Sequence, residues 1–137
     1  MASLLVDTGF LVALYHRNDA FHASALEFLR ANRAPLATVS AVVVETCFFL
    51  ERRAKLDLLD WIAKEGLLVA EVPVQAYPAL AAVLEKYRQL DLDFTDAALV
   101  WLADLIGERE ILTVDDRDFG VIRLKGKKRF ELVSWRR

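Results

Sequence analysis

"SLLVDTGFLVALY", residues 3–15, decides how the rest of the chain is read. Its first residues form a short apolar run closed by an acid, Asp7, with Gly9 close behind. That is the pattern of a buried strand running into a turn. "GFLVALYHRND" (9–19) then reads as a short helix. Four more apolar runs have the same brevity: "APLATVS" (34–40), "LLVAEVPV" (67–74), "EILTVDD" (110–116) and "FELVSW" (130–135), the last a candidate edge strand.

Helical patterns fill the intervals. A second helix is expected from about Asp19, where Phe21, Ala25, Phe28 and Leu29 fall at i, i+4, i+7 and i+8. Ser40 is a suitable N-cap for the apolar helix "AVVVETCFFL" (41–50), expected to end in the charged "ERRAK" (51–55). "LDLLDWIAKEG" (56–66) is expected to stop at Gly66, and residues 75–88 place Leu80, Val83, Leu84 and Tyr87 at helical spacing. "DFTDAALVWLADLIG" (93–107) has Asp93 or Thr95 as cap and Gly107 as stop. Strands separated by one or two helices imply an α/β fold. The expectation is a three-layer α/β/α arrangement around a mostly parallel central sheet of four to five strands. No linker and no internal repeat divides residues 1–137, so one domain is expected.

The bulk numbers agree and narrow the function. At 137 residues, 55% hydrophobic and 28% charged with 5 Gly and 3 Pro, the chain can bury a real core and is neither disordered nor low-complexity. A formal net charge of -2 gives no global attraction to nucleic acid, so such a partner would need a local basic patch. A single cysteine, Cys47, excludes an internal disulfide framework and reads as a small core residue. No segment is apolar enough for a membrane helix and the N-terminus lacks a basic n-region, so a soluble protein in the reducing cytoplasm is expected.

Four acids stand where open α/β sheets place their ligands, at the carboxyl ends of strands. Two apolar runs end in aspartate, at Asp7 and Asp115; two helices carry acids near their starts, Glu45 and Asp96. Singly, each has a structural explanation: a turn for Asp7, a helix dipole for Asp96, a solvated loop for Asp115. Glu45 resists this, because Ala41, Val42, Phe48 and Phe49 are its helical neighbours and none can pair with a charge. Two like charges about 4 Å apart repel by roughly 4 kcal/mol at an effective dielectric of about 20. Four carboxylates in one cleft therefore need protons or a cation. His16 and His22 lack the spacing of a zinc pair, and an oxygen-only set favours Mg²⁺ or Mn²⁺, ions that serve phosphate chemistry.

"LLVDTGFLVALY", "SAVVVET", "DFTDAALVWLA" and "ILTVDDRDF", in that order and spacing, resemble PIN domains, particularly the VapC-type toxin ribonucleases of toxin–antitoxin systems. The resemblance implies a metal-dependent endoribonuclease in which Asp7, Asp96 and Asp115 hold Mg²⁺ or Mn²⁺. Glu45 would be a further ligand or the residue that orients water. Asp116 fits a variant register of the fourth acid. Thr8 matches a hydroxyl residue that helps hold water or phosphate, and Asp93, Asp116 and Asp118 would support the metal ligands from behind. The family also implies an RNA substrate, a homodimer and a cognate antitoxin.

Candidate phosphate-neutralising residues are Arg52 and Arg53 in one cluster and Lys125, Lys127 and Lys128 in a denser one near Asp115. Lysines there would equally blunt an edge strand. Phe10, Phe21, Phe28, Phe48, Phe49, Leu58, Leu59 and Trp61 are either core or an interface. Two alternatives remain open. One is another Mg²⁺-dependent phosphoryl-transfer domain, although Gly9 stands where a DxD phosphatase needs its second acid. The other is a non-catalytic RNA-binding module of the same fold.

Overall fold

The computed structural model describes residues 2–137. Its five strands are β1 (Leu4–Val6), β2 (Leu36–Val39), β3 (Leu68–Ala70), β4 (Glu110–Leu112) and β5 (Glu131–Leu132). They form one sheet in the order β3-β2-β1-β4-β5, every pair parallel. Parallel neighbours need long crossovers, and helices supply them. These are α1 (Thr8–Tyr15), α2 (His22–Ala31), α3 (Ser40–Cys47), α4 (Arg52–Ala63), α5 (Tyr77–Lys86), α6 (Phe94–Ile106) and α7 (Asp116–Val121). Right-handed crossovers put the helices after β1 and β2 on one face of the sheet and those after β3 and β4 on the other. The sheet is therefore the middle of three layers, as expected, with the FELVSW segment at one edge.

The central strands are buried throughout: Leu5, Val6, Val39, Ile111 and Leu112 have no more than traces of exposed surface. Phe10, Leu11, Leu99 and Phe119 pack against them from the helices in one continuous core, while Leu50, Ala54 and Leu58 form a small second cluster under α4. Strand order reverses between β1 and β4. The chain builds outward through β2 and β3, then returns to the other side of β1. In such sheets the crevice at that reversal is the ligand position.

Several local expectations are corrected. The second helix starts at His22 rather than near Asp19, because Asp19 instead closes a turn, its Oδ1 accepting the Phe21 N–H at 2.8 Å. Ser40 does not cap α3; it is the first helical residue, and its hydroxyl donates to Glu71 Oε1 at 2.9 Å. That helix ends at Cys47, and "ERRAK" opens α4 instead of closing α3. Phe48 (81% exposed) and Phe49 thus fall in the connection and face outward, and Cys47 is only half-buried. They do not anchor the helix; Val42 and Thr46 do. Helix α4 stops at Ala63, before Gly66, with Glu65 in the left-handed region at φ 64°.

Gly66 matters for a different reason. Its N–H donates to the Trp61 carbonyl at 2.9 Å and the indole of Trp61 folds over it, so an added Cβ would overlap the ring. Gly66→Ala is expected to lower the stability by about 1–3 kcal/mol through overpacking. The measurement is a urea titration, with a lower midpoint and an unchanged slope.

Candidate metal and phosphodiester site

The register of β1 on β4 builds the site. Leu5 lies beside Ile111 and Val6 beside Leu112, and the Asp7 N–H donates to the Leu112 carbonyl at 3.0 Å. One residue further, the two chains are joined by side chains. Asp7 Oδ1 accepts the Thr8 N–H at 2.7 Å, and Oδ2 accepts the Thr113 hydroxyl at 2.8 Å. The same Thr113 Oγ1 accepts the Asp115 N–H at 2.9 Å. Asp115 then caps α7, its Oδ1 taking the Asp118 N–H at 3.0 Å. One threonine thus fixes both the first acid and the backbone carrying the fourth.

The other two acids come from helices. Asp93 and Asp96 form a reciprocal capping box at the start of α6: Asp93 Oδ1 accepts the Asp96 N–H at 3.0 Å, and Asp96 Oδ2 accepts the Asp93 N–H at 3.1 Å. Glu45, half-buried on α3, does have a partner, the hydroxyl of Thr95, which donates to Oε2 at 3.3 Å. Asp7, Thr8, Glu45, Asp93, Asp96 and Asp115 line one cleft of about 500 Å³, together with Asp19 and an apolar rim of Val12, Phe21, Phe49 and Val114.

No lysine or arginine lines that cleft. Burial, reinforced by the charges of Glu45 and Asp115, pushes the Asp7 carboxyl up to about 6, although Thr8 N–H and Thr113 O–H pull the other way. Burial also pushes Asp96 up to about 7, opposed by the Asp93 N–H and reinforced by the charges of Asp93 and Asp7. The Thr8 hydroxyl is buried without a hydrogen-bond partner among the described residues. Among those residues, no group of three or more acid, histidine or cysteine side chains is gathered closely enough to hold a metal ion as it stands. Crowded carboxylates, no counter-charge and an orphaned hydroxyl nevertheless suit a hard divalent cation that keeps several waters.

Asp115, not Asp116, faces the cleft. Asp116 is exposed and pairs with Arg136. Asp118 lends its backbone N–H to the cap and does not line the cleft. Arg52 and Arg53 are exposed at the start of α4, with Arg53 paired to Asp57 at 3.0 Å. Lys125, Lys127 and Lys128 are exposed at the short 3₁₀ turn after α7. None of these five cations reaches the cleft wall. A larger hollow, about 670 Å³, runs beside α1 and α4 and includes His16, Arg17, Glu51 and Arg53. It contains none of the strand-end acids, so the smaller cleft is the candidate site. The sequence reading assigned no role in the site to Thr113, Thr95, Asp19, Phe21 or Phe49. A hydroxyl two residues before Asp115 and one beside Asp96 were the available signals for the threonines. For Phe21 and Phe49 there was none.

The raised Asp7 carboxyl fixes the sign of a stability effect. The folded protein prefers neutral Asp7, so ionisation costs nothing below the ordinary carboxyl value of 3.8 and costs in full above about 6. The cost is roughly 3 kcal/mol. In EDTA, Asp7→Asn is expected to melt above the wild type at pH 7–8, the difference vanishing as pH falls below about 4. Thermal denaturation across that range is the check. Thr113→Val is expected to destabilise by about 1–3 kcal/mol, since it strands the Asp115 N–H and removes a donor from Asp7. Its chemical denaturation midpoint reads that out.

The family model for the PIN domain matches residues 4–124. Ribonuclease VapC26 of Mycobacterium tuberculosis is 28% identical over 134 residues, spanning 95% of this chain and 99% of its own length. Two solved structures share the fold. Mycobacterium tuberculosis VapC20, described as a sarcin–ricin loop cleaving toxin, superposes with a TM-score of 0.75 at 21% identity, covering 83% of this chain and 91% of its own. A toxin–antitoxin complex from Klebsiella pneumoniae gives 0.66 at 19% identity, covering 87% and 92%. With the match running from β1 through α7 and its four acid-bearing segments in order, the chain belongs to the PIN domain family.

Proposed function

We propose that this protein is an endoribonuclease of the VapC type, the toxin of a toxin–antitoxin pair, working with Mg²⁺ or Mn²⁺. The observation that carries this reading is the fixed trio Asp7–Thr113–Asp115 at the sheet reversal, facing Asp96 and Glu45 across a cleft without cations. The name of the relative VapC26 supports the ribonuclease class, and the Klebsiella pneumoniae complex supports an antitoxin partner.

Asp7, Asp96 and Asp115 would hold the cation, with Glu45 within reach as a further ligand. That cation would supply Lewis-acid neutralisation of charge on a phosphodiester. The chain's own residues do the rest. Thr113 holds Asp7 by its Oδ2, and the capping box holds Asp96, both at the cleft wall. Glu45 is steadied at Oε2 by Thr95, which leaves Oε1 to orient a water and take its proton. The Thr8 hydroxyl can donate to a phosphoryl oxygen. Without a cation the cleft would repel a polyanion, so substrate affinity as well as turnover depends on the ion. The basic residues outside the cleft, Lys125, Lys127, Lys128, Arg52 and Arg53, would meet flanking phosphates.

Exposed apolar side chains offer room for a homodimer and an antitoxin: Phe48, Phe49, Leu56 and Leu59 around α3 and α4, and the edge-to-face pair Tyr77–Phe94. Among the described residues no helix is long and apolar enough to cross a membrane. The cytoplasm, where RNA is found, is the proposed setting.

Incubation of the purified protein with single-stranded or looped RNA tests this reading. Cleavage is expected with Mg²⁺ or Mn²⁺ and none in EDTA. Asp7→Asn is expected to lose about 100-fold or more and Glu45→Gln about 10–100-fold. Circular dichroism should show both variants folded. Undiminished cleavage by purified Asp7→Asn would sink the mechanism.

A further inference from the structure

Beyond residue 124, where the family match ends, the last six residues form a strap across the end of β4. In the β4–β5 ladder, the Glu131 N–H donates to the Arg109 carbonyl at 2.8 Å and the Val133 N–H to the Ile111 carbonyl at 3.0 Å. Continuing that series brings residue 135 to the carbonyl of Thr113. There the indole Nε1–H of Trp135 donates, at 3.1 Å and buried. A side chain thus adds one rung beyond the strands, on the residue whose hydroxyl spans Asp7 and Asp115.

The rest of the strap braces the same region. The Trp135 ring sits edge-on to Phe10 (centroids 5.0 Å apart) and to Phe21 (6.0 Å), and Phe21 is part of the cleft rim. Arg136 lies over Phe21, with its guanidinium carbon 5.6 Å from the ring centroid, and pairs with Asp116, the residue next to Asp115. Arg137, by contrast, makes an exposed pair with Glu27.

We propose that Trp135 and Arg136 are positioning residues of the acid cleft: Trp135 fixes the Thr113 carbonyl and so the hydroxyl that orders Asp7 and Asp115, and Arg136 fixes the first residue of α7 and the aromatic rim. This rests on the metal-nuclease reading for its catalytic consequence, though not for its geometry. Removing the indole N–H frees the end of β4 to shift, and the ligand-bearing loop shifts with it. A displacement on the order of 1 Å is enough to cost about 100-fold in a positioned reaction.

Trp135→Phe keeps an aromatic ring while removing the N–H donor together with one ring of the indole; Arg136→Met keeps the stem and removes the charge. Three readouts are compared with the wild type: amide hydrogen exchange at Asp115 and Asp118, Mn²⁺ affinity by titration calorimetry, and kcat and KM on a single-stranded RNA. Both variants are expected to stay folded. Trp135→Phe should exchange the Asp115 amide about 10-fold faster, bind Mn²⁺ about 10-fold more weakly, and lose kcat about 10-fold or more with KM within about twofold. Arg136→Met should show smaller changes of the same kind, Arg136→Lys should recover part of them, and Arg137→Ala should match the wild type. Unchanged Asp115 exchange and Mn²⁺ affinity in Trp135→Phe would overturn the proposal, whatever the melting temperature did. A wild type that bound no Mn²⁺ would overturn the metal reading and the catalytic role of the strap with it. A wild type that binds, beside a variant that binds equally, overturns the strap alone.

Discussion

The hydroxyl of Thr113 is the point on which the site turns. It donates to Asp7 Oδ2 and accepts from the Asp115 N–H, so one oxygen ties the end of β1 to the loop after β4. These are the two strands on either side of the reversal in strand order, and only there does a parallel sheet of this order open a crevice. The arrangement buries the Asp7 carboxylate beside a loop that carries a second acid, which is unfavourable without compensation. The raised carboxyl of Asp7 records that tension. Helices α3 and α6 then add Glu45 and Asp96 to the same space, the first held by Thr95 from α6 and the second by the Asp93 cap of its own helix. Every acid of the cleft has a scaffold, and none pairs with a basic side chain among the described residues.

That combination distinguishes a functional cluster from a structural one. Acids that merely cap helices or close turns face solvent and need nothing more. Asp115 and Asp93 do cap helices here, yet both also line the cleft, so the same side chains shape the local backbone and set the field of the site. Hydrogen bonds from Thr8, Thr113 and the Asp93 backbone lower the cost of ionisation without removing it. A hard divalent cation would remove the remainder, and its binding would stabilise the fold by mass action.

Much of this was legible in the sequence because the strands are short, apolar and punctuated by acids. The runs ending at Asp7 and Asp115 gave the sheet's two inner edges, and the carboxylates at the starts of helices gave the opposite wall. The parts that were not legible depend on tertiary neighbours. Ser40 looked like a cap, but the β2–β3 pairing brings Glu71 to its hydroxyl, and the helix begins one residue early. Phe48 and Phe49 are either core or interface by composition; the end of α3 at Cys47 turns them outward. Glu45 seemed unpartnered because its partner, Thr95, is 50 residues away. The Trp135 rung reaches back 22 residues to Thr113, and no local pattern marks an indole as a substitute for a backbone donor.

The central claim is that the cleft is a divalent-cation site in which Asp7 and Asp96, their carboxyls raised by burial, give up protons as the ion binds. Calorimetric titration of Mn²⁺ into metal-free protein at pH 6.5, repeated in two buffers of different ionisation enthalpy, tests it most directly. The account predicts saturable binding with net proton release, because Asp7 and Asp96 sit at about 6 and about 7 in the free protein. It also predicts that Asp7→Asn weakens the binding and reduces the release. Absence of saturable binding, or binding with no proton released and no change in Asp7→Asn, would contradict it.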